Sequence, residues 1–257
     1  MNRVHYTDKY LINPQHPITV NLIGVGGTGS QVLTCLARIN SALRSLGHPG
    51  LHIRAWDNDE VTQANIGRQL FSPADIGLNK AVCLVTRVNR FFGLTWEAVP
   101  LKFSVKDNGC ANIYITCTDT AKSRLELWRG LKKESGKNSY RDYSTPLYWL
   151  DFGNTQTIGQ VVLGTIREIV QPKSKIYEPV SKLNTIAEIT DLSKTNEKDA
   201  GPSCSLAEAL NKQDLFINSA LAQLGSNILW KLFRNMMIDT QGLYINLETM
   251  KMNPIKL

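Results

Sequence analysis

The chain has 257 residues, 42% of them hydrophobic and 20% charged, with a net charge of +7. Such a composition describes a globular protein with a substantial core, in one large domain or one domain with an appendage. No apolar run approaches the roughly 20 residues that cross a bilayer as a helix, and no basic run exceeds two or three residues, so neither a membrane-spanning helix nor a nucleic-acid partner is expected. The excess positive charge then reads as a solvated basic surface. The first eight residues carry no apolar signal core, which makes the cytoplasm the expected location. Cys35, Cys83, Cys110, Cys117 and Cys204 include no CxxC pair, and His5, His16, His48 and His52 show no metal-ligand spacing. A zinc site is not expected, and an odd cysteine count argues against a disulfide framework.

Along the chain, residues 18–23 alternate and close as a short β-branched apolar run, the pattern of a buried strand. Gly24, Gly26, Gly27 and Gly29 follow, ending at Ser30, and a helical pattern runs over 31–46. Strand, glycine turn and helix together form a phosphate cradle, because a backbone without Cβ atoms approaches an anion closely and the helix N-terminus supplies donors. Residues 51–56 alternate as a second strand and end at Asp57, the place where this class of fold meets ribose hydroxyls. Gly24 and Asp57 lie 33 positions apart, against roughly 20 in dinucleotide dehydrogenases, which counts against an NAD enzyme.

Beyond Asp57 the order of motifs narrows the reading. Asp57-Asn58-Asp59-Glu60-Val61, Asn65-Ile66-Gly67-Arg68-Gln69, Asp75-Ile76-Gly77-Leu78-Asn79-Lys80 and Cys117-Thr118-Asp119-Thr120 follow the glycine loop in turn. With that loop, they resemble the ThiF/MoeB/HesA family, relatives of ubiquitin-activating enzymes. The family pattern is GxGGxGS, DxDxV, NxxRQ, DIGxxK and an acidic tip on a later strand. Within the family, residues 151–164 and 202–206 are most similar to the ThiF-like members of PRTRC plasmid cassettes. The resemblance implies an α/β fold: a Rossmann-like, mostly parallel sheet with helices on both faces, continued by an antiparallel half-sheet. It also implies one adenylation domain over 1–257, with a nucleotide-binding half at 18–133 and a partner-binding and dimerisation half at 145–257.

By the same resemblance ATP and magnesium are the expected ligands, and a small ubiquitin-like protein the expected partner of a homodimer. Asp57 is expected at the ribose, Asn65, Arg68 and Lys80 at the phosphates, and Asp119 at the magnesium. Asp59, Gln69 and Thr120 are further candidates for the nucleotide site. The residue types suit these tasks. Arginine bridges phosphate oxygens, lysine is a point-like cation, and magnesium takes carboxylate, phosphate and water oxygens. Taken singly, each has a plain structural role open to it, as a solvated cation, a helix cap or a strand end. The family's paired CxxC zinc motifs are absent, and Arg3 sits in a stretch that does not read as the helical arm some relatives use.

The nucleotide-binding half ends in an amphipathic helix from Ala121 to about Lys133, and strands follow at 147–154 and 160–166. Asp151 and Asn154 are candidates to line the partner's channel, with a structural turn equally open. Residues 171–203 read as a polar crossover loop. Cys204 ends it, and two roles stay open: an acyl-accepting thiol at a helix start, or a buried structural cysteine. Residues 214–233 show a broad apolar helical face, suited to the core or to a dimer interface. A short strand at 243–247 precedes a polar tail. The expected activity is adenylation of a protein C-terminal carboxylate. The alternative is a nucleotide-binding PRTRC cassette subunit without turnover.

Overall fold

The computed structural model describes residues 1–106, 110–135, 144–194 and 213–257. Its main sheet is built from β2 (Ile18–Ile23), β3 (Leu51–Trp56), β4 (Glu97–Val99), β5 (Ile113–Thr116), β6 (Tyr148–Asn154), β7 (Ile158–Thr165), β10 (Thr240–Asn246) and β11 (Lys251–Lys256). The strand order is β11-β10-β7-β6-β5-β2-β3-β4. Strands β4, β3, β2, β5 and β6 run parallel, and β7, β10 and β11 extend the sheet antiparallel. The mostly parallel sheet with an antiparallel half-sheet is therefore present.

Burial explains which strands are which. Ile113–Thr116 is buried at all four positions and Tyr148–Phe152 at all five, as strands covered on both faces must be. One face carries α2 (Gly27–Ser45), α3 (Lys80–Phe92) and α6 (Ile217–Arg234), whose Leu33, Leu36, Leu84, Val85, Leu221 and Leu229 share a core with Ile53 and Ile115. On the other face, α4 (Ala121–Ser135) buries Leu127, Trp128 and Leu131 against Tyr114 and Trp149. The Trp128 and Trp149 rings stack at 5.8 Å. The apolar stripe of α6 is thus spent inside its own chain.

Chain order reverses direction at β2. The chain steps from β2 to β3 and β4 on one side, then returns to β5 and β6 on the other. The connections that leave β2 and β5 run to helices on opposite faces, α2 and α4, and such a switch point is the crevice where open α/β sheets bind ligands.

Several elements differ from the sequence reading. The first long helix begins at Gly27, four residues earlier than its apolar periodicity, because glycine there serves packing and not propensity. Helix α3 runs from an Asn79 N-cap to Gly93 in the left-handed region. The polar tail forms β11, paired along β10 in an exposed hairpin edge. Within the crossover stretch, β8 (Tyr177–Pro179) pairs with β1 (Asn2–Tyr6), which also pairs with β9 (Met237–Ile238), and α5 (Ile186–Ile189) buries Ile186. Residues 195–203 of that stretch, and Cys204, lie outside the described residues. Arg3 stands in β1 and reaches Glu178 at 3.6 Å.

The arm that β1 begins is pinned to the main sheet by His5. Its Nδ1–H donates to the Val180 carbonyl at 2.7 Å, which leaves Nε2 to accept from the Tyr148 hydroxyl at 3.0 Å. That hydroxyl in turn accepts the Asp8 N–H. Burial holds the His5 imidazole below its ordinary value, with the Val180 carbonyl acting in the opposite direction. The unfolded chain therefore binds the proton first, so folding stability is retained above the usual histidine range and lost as pH falls through it. Thermal unfolding followed from about pH 8 to about pH 5 should show this loss, and His5→Gln should flatten it. A midpoint curve equally steep in the variant would contradict the assignment.

Candidate active site

The site is built outward from the tip of β2. Gly24 has φ of +83°, a conformation that suits glycine, and a Cβ on it would stand 2.9 Å from the Cys117 carbonyl oxygen at the tip of β5. At Gly29 an added Cβ would collide with the Gly24 carbonyl. These two glycines let α2 start flush against the strand tips. Gly26 then caps α2, and the first-turn N–H groups of Gly27, Thr28 and Gly29 have no acceptor within the helix. They stand at the switch point between β2 and β5, and free N–H groups at a helix start are chemically suited to an anion.

Asp57 locks this loop. Its Oδ2 accepts the Val25 N–H at 2.8 Å and its Oδ1 accepts the Asp59 N–H at 2.9 Å. Burial pushes its carboxyl above the ordinary carboxylate value, while those two N–H groups and the charge of Lys80 pull it down. Asn79 ties the same segment to α3, its amide donating to the carbonyls of Asp57 and Asp59 at 2.9 and 3.1 Å. The next residue, Lys80, is mostly buried, and its Nζ lies 3.0 Å from Asp59 Oδ2. One helix cap thereby sets both an acid and a cation at the mouth.

Asn65 closes a tight turn: its Oδ1 accepts the N–H and hydroxyl of Thr62 at 2.8 and 3.1 Å, which leaves its amide nitrogen as the group able to donate. Arg68 Nε donates to Ala64 O at 3.2 Å and Nη1 to Gln213 Oε1 at 3.1 Å. Burial lowers the Arg68 guanidinium from its ordinary value, and the charge of nearby Asp119 opposes this. Gln69 is buried with its Oε1 unpaired among the described residues, and its amide lies 3.8–3.9 Å from where a Cβ on Gly26 would sit. An orphaned buried acceptor beside the glycine turn is what a site awaiting a ligand shows.

At the tip of β5, Asp119 is exposed, and Thr120 turns its hydroxyl to the Ser123 N–H, capping α4. Behind them Arg124 pairs with fully buried Asp151 at 2.9 Å and donates to the carbonyls of Thr118 and Phe152 at 2.7 and 2.8 Å. Asp151 also accepts from the Thr116 hydroxyl. Burial drives its carboxyl up against the pull of Arg124. Asp151 therefore braces the β5–β6 tips and is enclosed, not channel-lining. Sequence reasoning missed Arg124, Gln213 and Asn218. Asn218 had a visible signal, as a polar residue inside an apolar helical stripe.

The structure thus brings Gly24, Gly26, Gly27, Gly29, Asp57, Asp59, Asn65, Arg68, Gln69, Lys80 and Asp119 around one crevice. Residues 16–252 match the ThiF family. The chain belongs to the ThiF family. Among solved structures it is similar to E. coli MccB (TM-score 0.59, 16% identity, covering 96% of this chain and 63% of that one) and to MccB with ATP (0.58, 16%, 96% and 64%). PaaA is a further neighbour (0.57, 14%, 94% and 64%). At such identities the likeness concerns the fold, and this chain spans under two thirds of either neighbour's length. A comparison with curated protein sequences gives no match.

Within this ThiF fold Asp57 and Asp119 should separate cleanly in stability. Asp57→Ala strips the buried Val25 N–H of its acceptor and should cost about 2 kcal/mol or more in urea unfolding. Asp119→Ala removes an exposed group and should stay within about 0.5 kcal/mol. Equal losses would contradict the division between anchor and ligand-facing acid.

Proposed function

We propose that this protein binds ATP with magnesium and adenylates the C-terminal carboxylate of a small ubiquitin-like protein, working as a homodimer in the cytoplasm. The observation that carries the reading is the gathering of a glycine cradle, a ribose-type acid, two cations and an exposed acid at one switch-point crevice. Family membership supports it, as do the neighbouring structures of MccB with ATP and of MccB with AMPCPP and MccA.

In this reaction a carboxylate oxygen bonds to the α-phosphorus, the bond to the bridging oxygen breaks, and pyrophosphate leaves with the electron pair. Little covalent work falls to the protein, so positioning and charge stabilisation supply the rate. The first-turn amides of α2 hold the phosphates, and Asp57 accepts from the ribose. Arg68, the Asn65 amide and Lys80 bind the triphosphate and stabilise charge gathering on pyrophosphate. Gln69 gives its unpaired carbonyl to a nucleotide hydroxyl or amine. Asp119 suits magnesium, since this hard cation is held by one or two carboxylates together with phosphates and water. Among the described residues no group of three or more His, Cys, Asp or Glu could hold a metal alone. When bound, magnesium would neutralise phosphate charge.

The antiparallel half-sheet of β7, β10 and β11 and the region 145–257 are assigned to the partner protein and to dimerisation. Cys204 is assigned as the thiol that can receive the acyl group from the adenylate, releasing AMP. The likeness of residues 151–164 and 202–206 to PRTRC cassette members suggests that the partner is encoded nearby.

ATP–pyrophosphate exchange with purified protein and small β-grasp candidates tests the reading. Exchange should require one candidate and fall by about a hundredfold or more in Arg68→Ala and Asp119→Ala, the scale of losing one transition-state charge contact. ATP binding with no exchange from any candidate would point instead to a nucleotide-binding cassette subunit without turnover.

A further inference from the structure

A line of side-chain hydrogen bonds runs behind the glycine loop and ends on Arg68. Arg68 Nη1 and Asn218 Nδ2 both donate to Gln213 Oε1, at 3.1 and 2.9 Å. Asn218 Oδ1 accepts from Thr28 Oγ1 at 2.8 Å and from Asn154 Nδ2 at 3.3 Å. Asn218 is 3% exposed. Thr28 lies in the first turn of α2, Asn154 ends β6, Asn218 opens α6, and Arg68 belongs to the turn before α3. Three segments meet at the buried Asn218 amide, and Gln213 links the Arg68 turn to them as a fourth.

The polarity of this line has one solution. A guanidinium only donates, so Gln213 must turn its carbonyl towards Arg68. Asn218 must then present its amide nitrogen to that oxygen, and its own carbonyl remains for Thr28 and Asn154. Both oxygens of the line, Gln213 Oε1 and Asn218 Oδ1, accept two donors each, the kind of pairing by which a buried polar network fixes geometry. Packing alone does not require it, because the neighbouring face of α6 uses Ile217, Leu221 and Leu229. Asn218 also accounts for Gly27, where a Cβ would stand 2.7 Å from Asn218 Nδ2. With Nε on Ala64 O and one Nη1 proton on Gln213, two of the five guanidinium donors are committed. The head is held while its other donors remain for an anion.

We propose that Gln213 and Asn218 are positioning residues for Arg68, setting its guanidinium in register with the first turn of α2 so that one nucleotide's phosphates meet both. This rests on the ATP reading above and assigns to it two residues that touch no nucleotide. The reach of the network matters because a misplaced arginine retains its charge but loses its two-pronged fit to phosphate.

ATP affinity of the full chain, measured by calorimetry in two arginine backgrounds, tests this. In the native background Gln213→Ala should weaken ATP binding roughly tenfold, and Asn218→Leu should do the same. In the Arg68→Lys background, where a cation remains but no fork needs aligning, Gln213→Ala should change affinity less than about twofold. Gln213 is half-buried, so its variant should fold even if Asn218→Leu does not, and thermal midpoints check this. A tenfold loss in both backgrounds, or in neither, overturns the positioning role and leaves the nucleotide site standing. Failure of the unsubstituted protein to bind ATP overturns the nucleotide reading, and this proposal with it.

Discussion

The hydrogen bond from the Val25 amide to Asp57 fixes the relation between two neighbouring strand tips, and the site is arranged around it. β2 and β3 would hold their spacing by ladder bonds alone. The Gly24 N–H on the Trp56 carbonyl and the Asp57 carboxylate reaching back to Val25 together set the direction in which the glycine loop leaves β2. Once it does, Gly29 can pass the Gly24 carbonyl with no Cβ between them, and α2 points its unpaired amides at the crevice. The same carboxylate holds Asp59, and Asn79 carries that order to α3 and so to Lys80. A single acid therefore sets cradle, second acid and cation together.

Charge is distributed around this anchor with some economy. The buried pair of Arg124 and Asp151 sits on the β5–β6 side, where Arg124 gathers the carbonyls of Thr118 and Phe152 and steadies the loop that carries Asp119. Such a pair gains little net stability after desolvation. Its effect is to leave exposed Asp119 at a defined place on the rim. On the other side Arg68 is drawn partly out of water, which strengthens its pull on any phosphate that enters.

Much of the fold was legible because the signals are local. The run 18–23, the glycines after it and the alternation at 51–56 each declare a strand or a turn by themselves, and the motif order placed Asp57, Asn65, Arg68, Lys80 and Asp119 on one rim. What escaped was set by distant partners. β1 is a strand because β8 and β9 flank it, though nothing in residues 2–6 announces an edge that pairs with residues 177–179. β11 exists because β10 offers it a ladder, and its own residues are mostly exposed and polar. The start of α2 was hidden by glycines that disfavour helix locally and are needed for close packing. Asp151 read as a candidate channel residue, and only its burial beside Arg124 shows a brace. The Arg68–Gln213 and Thr28–Asn218 contacts join residues 145 and 190 positions apart, beyond any periodicity.

The account turns on which nucleotide the crevice accepts. Titrating the purified protein with magnesium-ATP and, separately, with NAD in a calorimeter addresses it directly. The account predicts saturable one-site binding of ATP and none of NAD. Binding of NAD in preference to ATP, or of neither, would contradict it.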